Sequence, residues 1–372
     1  EDVVSAAEMA ELQQSLQDDA PPAPPVGPQA SSSSSNPDIA LILDVAGAYF
    51  SQEPLMTGGH DPNHTGVTLQ QLEMHIASSV DPFFTFDANL VFAQFGVEVE
   101  EAYFETLALP ANLKVKGGQF LTPFGRINAT HPHSWSFLTQ PITNGKFFGS
   151  EGSRGLGAQV SWLTPLPWYT ELVGASTEAV GECCARSFFG SDDLGIESPA
   201  DLLYTTAIKQ FFPVSDDFSV MWGVSGQFGP NPTGSGNRTE IYGTDLYLRY
   251  RPINATDFEA VSLQIEGMAR KRQVPGDVLN DFGGYADLVW RMNKSWETGA
   301  RVEYVTGIDG DLLDPNWTTD RTRASVQATF YPSHFSRLRF QGLADRPAQE
   351  NWYWGAILGV EVLVGAHGAH AY

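Results

Sequence analysis

Lysine is scarce, with six among 372 residues, and 21 Lys+Arg against 44 Asp+Glu leave a formal charge of −23. Phosphate backbones need clustered cations, so no nucleic-acid partner is expected. Two cysteines cannot build a disulfide framework. No run approaches the roughly 18 uninterrupted apolar residues of a membrane-spanning helix. Charged residues make up only 17%, below the usual ~25%, yet 42% apolar content is too high for wholesale disorder. What the chain does have is 36 glycines, 12% aromatics and many short alternating runs. That combination predicts an all-β protein, and specifically a transmembrane β-barrel.

The first residues differ from the rest. Residues 1–20 are predicted to form a helix, with Met9, Leu12 and Leu16 on one stripe and Glu1 and Asp2 near its start, where the helix dipole favours anions. So narrow a stripe suits either a self-associating coiled coil or a frayed tail. Residues 21–35 (PPAPPVGPQASSSSS) predict a linker, because proline removes donors and the serine run has nothing to bury. No basic stretch leads into an apolar one, so a barrel in residues 36–372 requires a leader removed before Glu1.

From Asn36 the period becomes 2. Tyr242, Thr244, Leu246 and Leu248 alternate with Asp245, Tyr247, Arg249 and Arg251, and Leu338 and Phe340 alternate with Arg337, Arg339 and Gln341. Sixteen strands follow: 37–50, 65–80, 83–95, 97–109, 112–123, 153–164, 168–178, 200–212, 217–229, 238–251, 257–273, 280–292, 295–307, 319–331, 335–346 and 350–365. Short turns after even-numbered strands and mostly longer loops after odd ones match an outer-membrane barrel, and an even count puts both chain ends on one side. Aromatics at strand ends (Phe83, Phe84, Trp168, Tyr169, Trp296, Trp352, Tyr353, Trp354) fit interfacial girdles. A soluble sandwich would carry an apolar inner face; here the face opposite the aromatics carries Arg, Asp, Glu and Gln.

Sixteen strands leave an aqueous lumen unless something fills it, and residues 1–36 are too few and too polar to be a plug. The longest connection, the third loop at 124–152, is expected to fold inward as a constriction, its aromatics packing on the wall. Inward cations gather late (Arg249, Arg251, Arg291, Arg301, Arg323, Arg337, Arg339), with Arg126 in the third loop. Acids gather early (Asp87, Glu98, Glu100, Glu101, Glu105) beside Lys114 and Lys116, and Asp287 and Glu303 lie among the late arginines. Two readings stand: a transverse field across the pore, or structural cross-strand pairing. The phase breaks at Glu100-Glu101, which predicts a bulge.

Histidines pair up: His131 and His133 in the third loop, His367 and His370 in the tail, His60 and His64 in the first loop. Each pair offers metal ligands but too few alone for zinc, which takes three or four. Asp309, Asp311 and Asp314 offer hard oxygens for calcium without the EF-hand spacing. No catalytic triad order, P-loop or dinucleotide pattern appears, so no enzyme is expected.

The segment KVKGGQFLTPFGR (114–126) resembles the phosphate-selective porin O/P-like barrels. NPDIALILD (36–44), GVEVEEAYFETLALP (96–110), FGRINATHPHSW (124–135), GSRGLGAQVSWL (152–163) and the GAHGAH tail (365–370) resemble bacterial proteins labelled zinc-regulated TonB-dependent outer-membrane receptors. These resemblances imply a Gram-negative outer-membrane location, with lipid and lipopolysaccharide around the barrel. They also imply a homotrimer and a link to divalent metal supply. The expected function is passive diffusion of small hydrophilic solutes or ions, with a possible zinc preference. Both termini would be periplasmic. An anion- or phosphate-selective channel and a barrel-anchored interaction protein are the alternatives.

Overall fold

In the computed structural model the described residues are 36–365, apart from 94–95, 180–181, 189–195, 235, 253–257, 312 and 348–350. The helix expected at 1–20, the linker at 21–35 and the tail pair His367/His370 lie outside them. Sixteen strands follow in order: β1 (Asp38–Phe50), β2 (Gly66–Ser79), β3 (Phe84–Ala93), β4 (Gly96–Thr106), β5 (Leu113–Leu121), β6 (Arg154–Leu163), β7 (Tyr169–Thr177), β8 (Leu203–Pro213), β9 (Phe218–Pro230), β10 (Arg238–Tyr250), β11 (Ala260–Val274), β12 (Asp277–Arg291), β13 (Trp296–Val305), β14 (Arg321–Ser333), β15 (Ser336–Arg346) and β16 (Tyr353–Gly365). Each pairs antiparallel with the next, and β1 pairs with β16 from Ala40–Gly365 to Phe50–Gly355. Closure gives every strand a neighbour on both sides, although β4 meets β5 over only four residue pairs, Ala102–Gln119 to Glu105–Lys116. The strand count, the order and the antiparallel barrel are those expected. Two hairpins close differently: β11 and β12 extend until Val274 faces Asp277, leaving Pro275-Gly276 as a two-residue turn in which Gly276 takes φ +80°, and β14 and β15 meet at Ser333 and Ser336, leaving His334-Phe335 as the turn.

The two faces are inverted relative to a water-soluble sheet. In β14, Val326 is 59% exposed while Arg323 is fully buried. The outer belt carries Leu41, Val160, Val302, Phe340 and Leu358, and its rims carry aromatics such as Trp168, Trp296, Trp352 and Trp354. Alternation alone produces this, since successive side chains on a strand point to opposite faces.

Three register shifts interrupt the ladders: one near the end of β14 between Phe330 and Ser333, and two bulges, in β4 and β2, that bear on the site. Opposite β3, Asn89 faces Glu101 and Leu90 faces Val99, so Glu100 is the extra residue, at the position its phase break predicts. Opposite β1, Asp44 faces Gln71 and Val45 faces Leu69, so Gln70 is extra. A bulge turns two neighbouring side chains to the same side. Gln70, Gln71, Glu100 and Glu101 are accordingly all buried.

The third loop (122–153) folds into the lumen. It carries two 3-10 turns (Ile127–Ala129 and Pro132–Ser134) and one short α-helix, α1 (Ile142–Phe147), and its apolar side chains seat on three inner-wall patches. Phe124, Phe147 and Phe148 pack with Ile241, Met268, Leu203 and the fourth loop's Phe188. Leu138 packs with Ala46, Phe50, Leu343 and Ile357, and Ile142 with Val305 and Trp317. Two wall glycines make room. A Cβ at Gly243 would lie 2.6 Å from the Phe124 ring, and one at Gly359 would lie 2.5 Å from Leu138.

Candidate functional site

A loop inside a barrel has no ladder to satisfy its backbone, so the wall must supply partners. It does so with the charged residues of the inner face. Arg301 grips Asp287 with two bonds (2.6 and 2.7 Å) and turns its third donor to the Thr139 carbonyl at 2.8 Å. Arg323 does the same with Glu303 (2.5 and 2.9 Å) and the Gln140 carbonyl. Arg337 pairs with Glu361 at 2.6 Å and donates to the carbonyls of His133 and Trp135. Arg339 reaches Glu361, Asp44 and the Trp135 carbonyl. Acceptors on the wall complete the seat: Glu303 takes the Ile142 N–H (2.8 Å), Glu266 the N–H groups of Arg126 and Ile127 (3.0 and 2.7 Å), and Gln341 that of Leu138 (2.6 Å). Of the two readings left open, the late arginines follow structural pairing. Arg301, Arg323, Arg337 and Arg339 face inward, but the third loop covers them and carboxylates neutralise them, so they form no free cationic wall.

Other candidates lie elsewhere. Lys114 pairs with Glu105 at 2.5 Å, and Lys116 stacks 4.0 Å over Tyr103. Asp87 meets His75 at 3.1 Å. Arg251 is exposed just past the end of β10. Towards the short-turn rim the third loop leaves a chamber of about 550 Å3, lined among others by Arg126, Trp135, Arg249, Asp287, Arg291, Glu297 and Tyr331. Arg291 pairs with Glu297 and lies 3.7 Å over Tyr331. Arg126 lies 3.9 Å over Tyr247 and bonds Gln264. The guanidiniums of Arg126 and Arg249 form no ion pair with a carboxylate among the described residues.

On the other side of the third loop, its residues meet the first loop (51–65) and the two bulges. His131 places Nδ1 3.0 Å from Glu100 and Nε2 2.8 Å from Glu101. His133 stacks on it, with ring centroids 5.8 Å apart, and turns Nδ1 to Glu73 at 2.9 Å. The two imidazoles of the H-P-H motif thus face different carboxylates. His60 meets Glu100 at 3.3 Å and Glu151 at 3.0 Å. Burial alone would lower the His60 and His131 pKa values, but their carboxylate hydrogen bonds outweigh it and hold both well above the ordinary imidazole value. His64, by contrast, is exposed and bonds its neighbour Asn63 at 2.8 Å. Glu73, Glu151 and Gln70 carry no motif of their own.

Acids of the 306–320 loop are taken up by guanidiniums. Asp311 pairs with Arg272, and Asp314 receives Arg270 (2.7 Å), Arg272 (3.1 Å) and the fourth loop's Arg186 (3.0 Å); Asp309 is exposed. The hard-oxygen cluster that calcium would need is therefore not assembled. Burial would raise the Asp314 pKa, but Arg270, Arg186 and Arg272 outweigh it and hold the carboxyl below the usual range. A depressed carboxyl contributes stability that is fully present above its unfolded value, about 3.9, and is lost as pH falls through the folded one. Pepsin should therefore spare the 306–320 loop at about pH 4 and cut it progressively more below about pH 3, whereas Asp314→Asn should be cut already at about pH 4. Cys183 and Cys184 are joined to each other, and Arg154 donates to Cys184 Sγ at 3.2 Å.

No family model matches the chain. A protein of Aquifex aeolicus (strain VF5), described only as uncharacterized, is 31% identical over 346 residues, spanning 82% of this chain and 72% of that one. Among solved structures, the outer membrane channel DcaP of Acinetobacter baumannii is similar with a TM-score of 0.59 at 11% identity, covering 90% of this chain and 99% of that one. OprB of Pseudomonas putida has a TM-score of 0.59 at 10% identity (88% and 94% covered). The anion-selective porin from Comamonas acidovorans has 0.57 at 11% (88% and 99%). These likenesses carry the fold: a sixteen-stranded barrel of the outer-membrane porin type.

Proposed function

The chain belongs to the same family as the Aquifex aeolicus protein, and from its sixteen-stranded barrel we propose that it is an outer-membrane porin, a passive diffusion channel for small hydrophilic solutes. One observation carries the reading: a barrel with an apolar belt and a charged lumen holds its longest loop inside, narrowing the path instead of covering the mouth. The even strand number supports both chain ends at the periplasmic rim, and porin architecture supports a homotrimer surrounded by lipid and lipopolysaccharide.

The chamber sets the charge preference. Its lining includes Arg126, Arg249 and Arg291, with Arg301 and Arg337 already paired to Asp287 and Glu361, and the guanidiniums of Arg126 and Arg249 form no ion pair among the described residues. This supports a weak local preference for anions, opposed at long range by the net charge of −23. A second reading, a preference for divalent metal such as zinc, is favoured by the histidine–carboxylate group around Glu100.

Planar-bilayer recording under a KCl gradient tests both. We expect discrete conductance steps and a reversal potential on the anion side, with Arg249→Glu moving it towards cations. The same change at exposed Arg251 should move it less. A cation-side reversal potential that zinc alters would favour the metal reading. No conductance would mean that the loops close the lumen and that the barrel serves as an anchor.

A further inference from the structure

The group around Glu100 gathers two sets of side chains that can ligate a metal. Ligand atoms of His60, Glu100 and Glu151 all lie within 4.8 Å of one another, and so do those of Glu73, Glu100 and His131. Glu100 is common to both sets, one oxygen towards His60 and the other towards His131. Donor atoms about 2.0–2.2 Å from a tetrahedral zinc ion stand roughly 3.3 Å apart, so the 3.3 and 3.0 Å from His60 Nε2 to its two carboxylates match ligand spacing.

The outer contacts point the same way. His60 Nδ1–H donates to the Gln70 carbonyl at 3.1 Å, and the Gln70 amide returns a bond to the His60 carbonyl at 2.9 Å. This fixes the ring with Nε2 facing the carboxylates, and metal-bound histidines are held in this way by an acceptor on the far nitrogen. The Gln70 bulge and the Glu100 bulge both supply residues here, although they lie in different hairpins.

A second, independent observation is a surplus of lone pairs. Glu73 is fully buried, and its Oε1 has no donor among the described residues; nor do Gln70 Oε1 and Gln71 Oε1, on side chains 8% and 1% exposed. Gln70 and Gln71 line the same small cavity as His60, Glu100, His131 and Glu151. Its volume, about 40 Å3, holds an ion with a water or two, at about 10–15 Å3 each. Arg154 and Arg339 line the cavity too, but neither they nor its amide and hydroxyl groups reach these oxygens, and a buried acceptor left without a donor is stabilised by a cation or an ordered water.

We propose that His60, Glu100 and Glu151 form a binding site for a divalent cation of the zinc class, nitrogen- and oxygen-ligated, with water completing its coordination. The ion would join three separate parts of the chain: the first loop, β4 and the end of the third loop. Ile127, Thr130 and Trp135 line both this cavity and the chamber on the other side, so an occupied site braces the wall of the diffusion path. The inference goes beyond the channel reading and is measured by binding, so the failure of one leaves the other standing.

Calorimetric titration of the full chain, folded in detergent and stripped with chelator, tests it with Zn2+ as the probe. We expect one saturable site, weakened at least about tenfold by His60→Ala and by Glu151→Gln. His64→Ala, in the same loop, should leave it unchanged. Heat-modifiable migration on gels confirms that each variant is folded, and the near-isosteric Glu151→Gln guards against a general loosening of the first loop. Undiminished affinity in His60→Ala and Glu151→Gln would overturn the proposal. So would binding lost only on replacing His367 and His370, or Ca2+ binding as tightly as Zn2+.

Discussion

Replacing residues 127–150 with a short Gly-Ser connector will raise single-channel conductance several-fold and leave the barrel folded. The expectation follows from how the two layers are held. Strand-to-strand hydrogen bonds close the barrel without any contribution from the third loop. The ion pairs beneath the loop join neighbouring strands, so they survive its removal and are rehydrated. What is lost is the burial of Phe137, Leu138, Ile142, Phe147 and Phe148, roughly 1.5–3 kcal/mol for each large side chain. That loss belongs to the loop's own seat and is removed along with the loop. A bare sixteen-stranded barrel encloses a water-filled lumen. Unchanged conductance would assign the constriction to the first loop, the fourth loop and the 306–320 loop, whose Trp317 already packs on Ile142.

Much of this was legible in the sequence because period 2 is a local signal. Strand count, inward face and the Glu100 bulge all follow from it. The Val99-Glu100-Glu101-Ala102 spacing, two polar residues between outward ones, marks that bulge. Leu69-Gln70-Gln71-Leu72 has the same form and marks the other, and this is the one sequence signal that would have drawn Gln70 into the site. The state of the arginines was not legible, because it depends on register. Arg301 stands directly opposite Asp287, Arg323 opposite Glu303, and Arg337 opposite Glu361. Arg249 stands opposite Ser219 and Ser262 and so has no acid across either ladder. A one-residue slip would reverse every such assignment. Nor could any local pattern bring His60, Glu100 and Glu151 together. They come from two loops and a strand, and closure of the barrel and the inward fold of the third loop set them side by side.

Arg323→Met will destabilise the barrel by about 3–5 kcal/mol, because it strands the fully buried Glu303 carboxylate without its counter-charge. Chemical unfolding in detergent reads this directly. Adding Glu303→Leu should recover most of the loss, since replacing a buried ion pair with apolar residues of similar volume is often neutral or better. The loop should not recover. In the double variant the Gln140 carbonyl loses its donor and the Ile142 N–H loses its acceptor, so α1 comes away from the wall although the barrel is sound. Protease cutting within 138–147 and a larger conductance should therefore persist after barrel stability returns. If the loop stays protected, its apolar seats, Phe124 against Gly243 and Leu138 against Gly359, hold it alone. If barrel stability fails to return, the pair is itself a source of stability. Persistent loop release with restored stability would mean that the charged lumen of this barrel serves first to hold a polypeptide inside it, and that solutes meet only the charges the loop leaves unpaired.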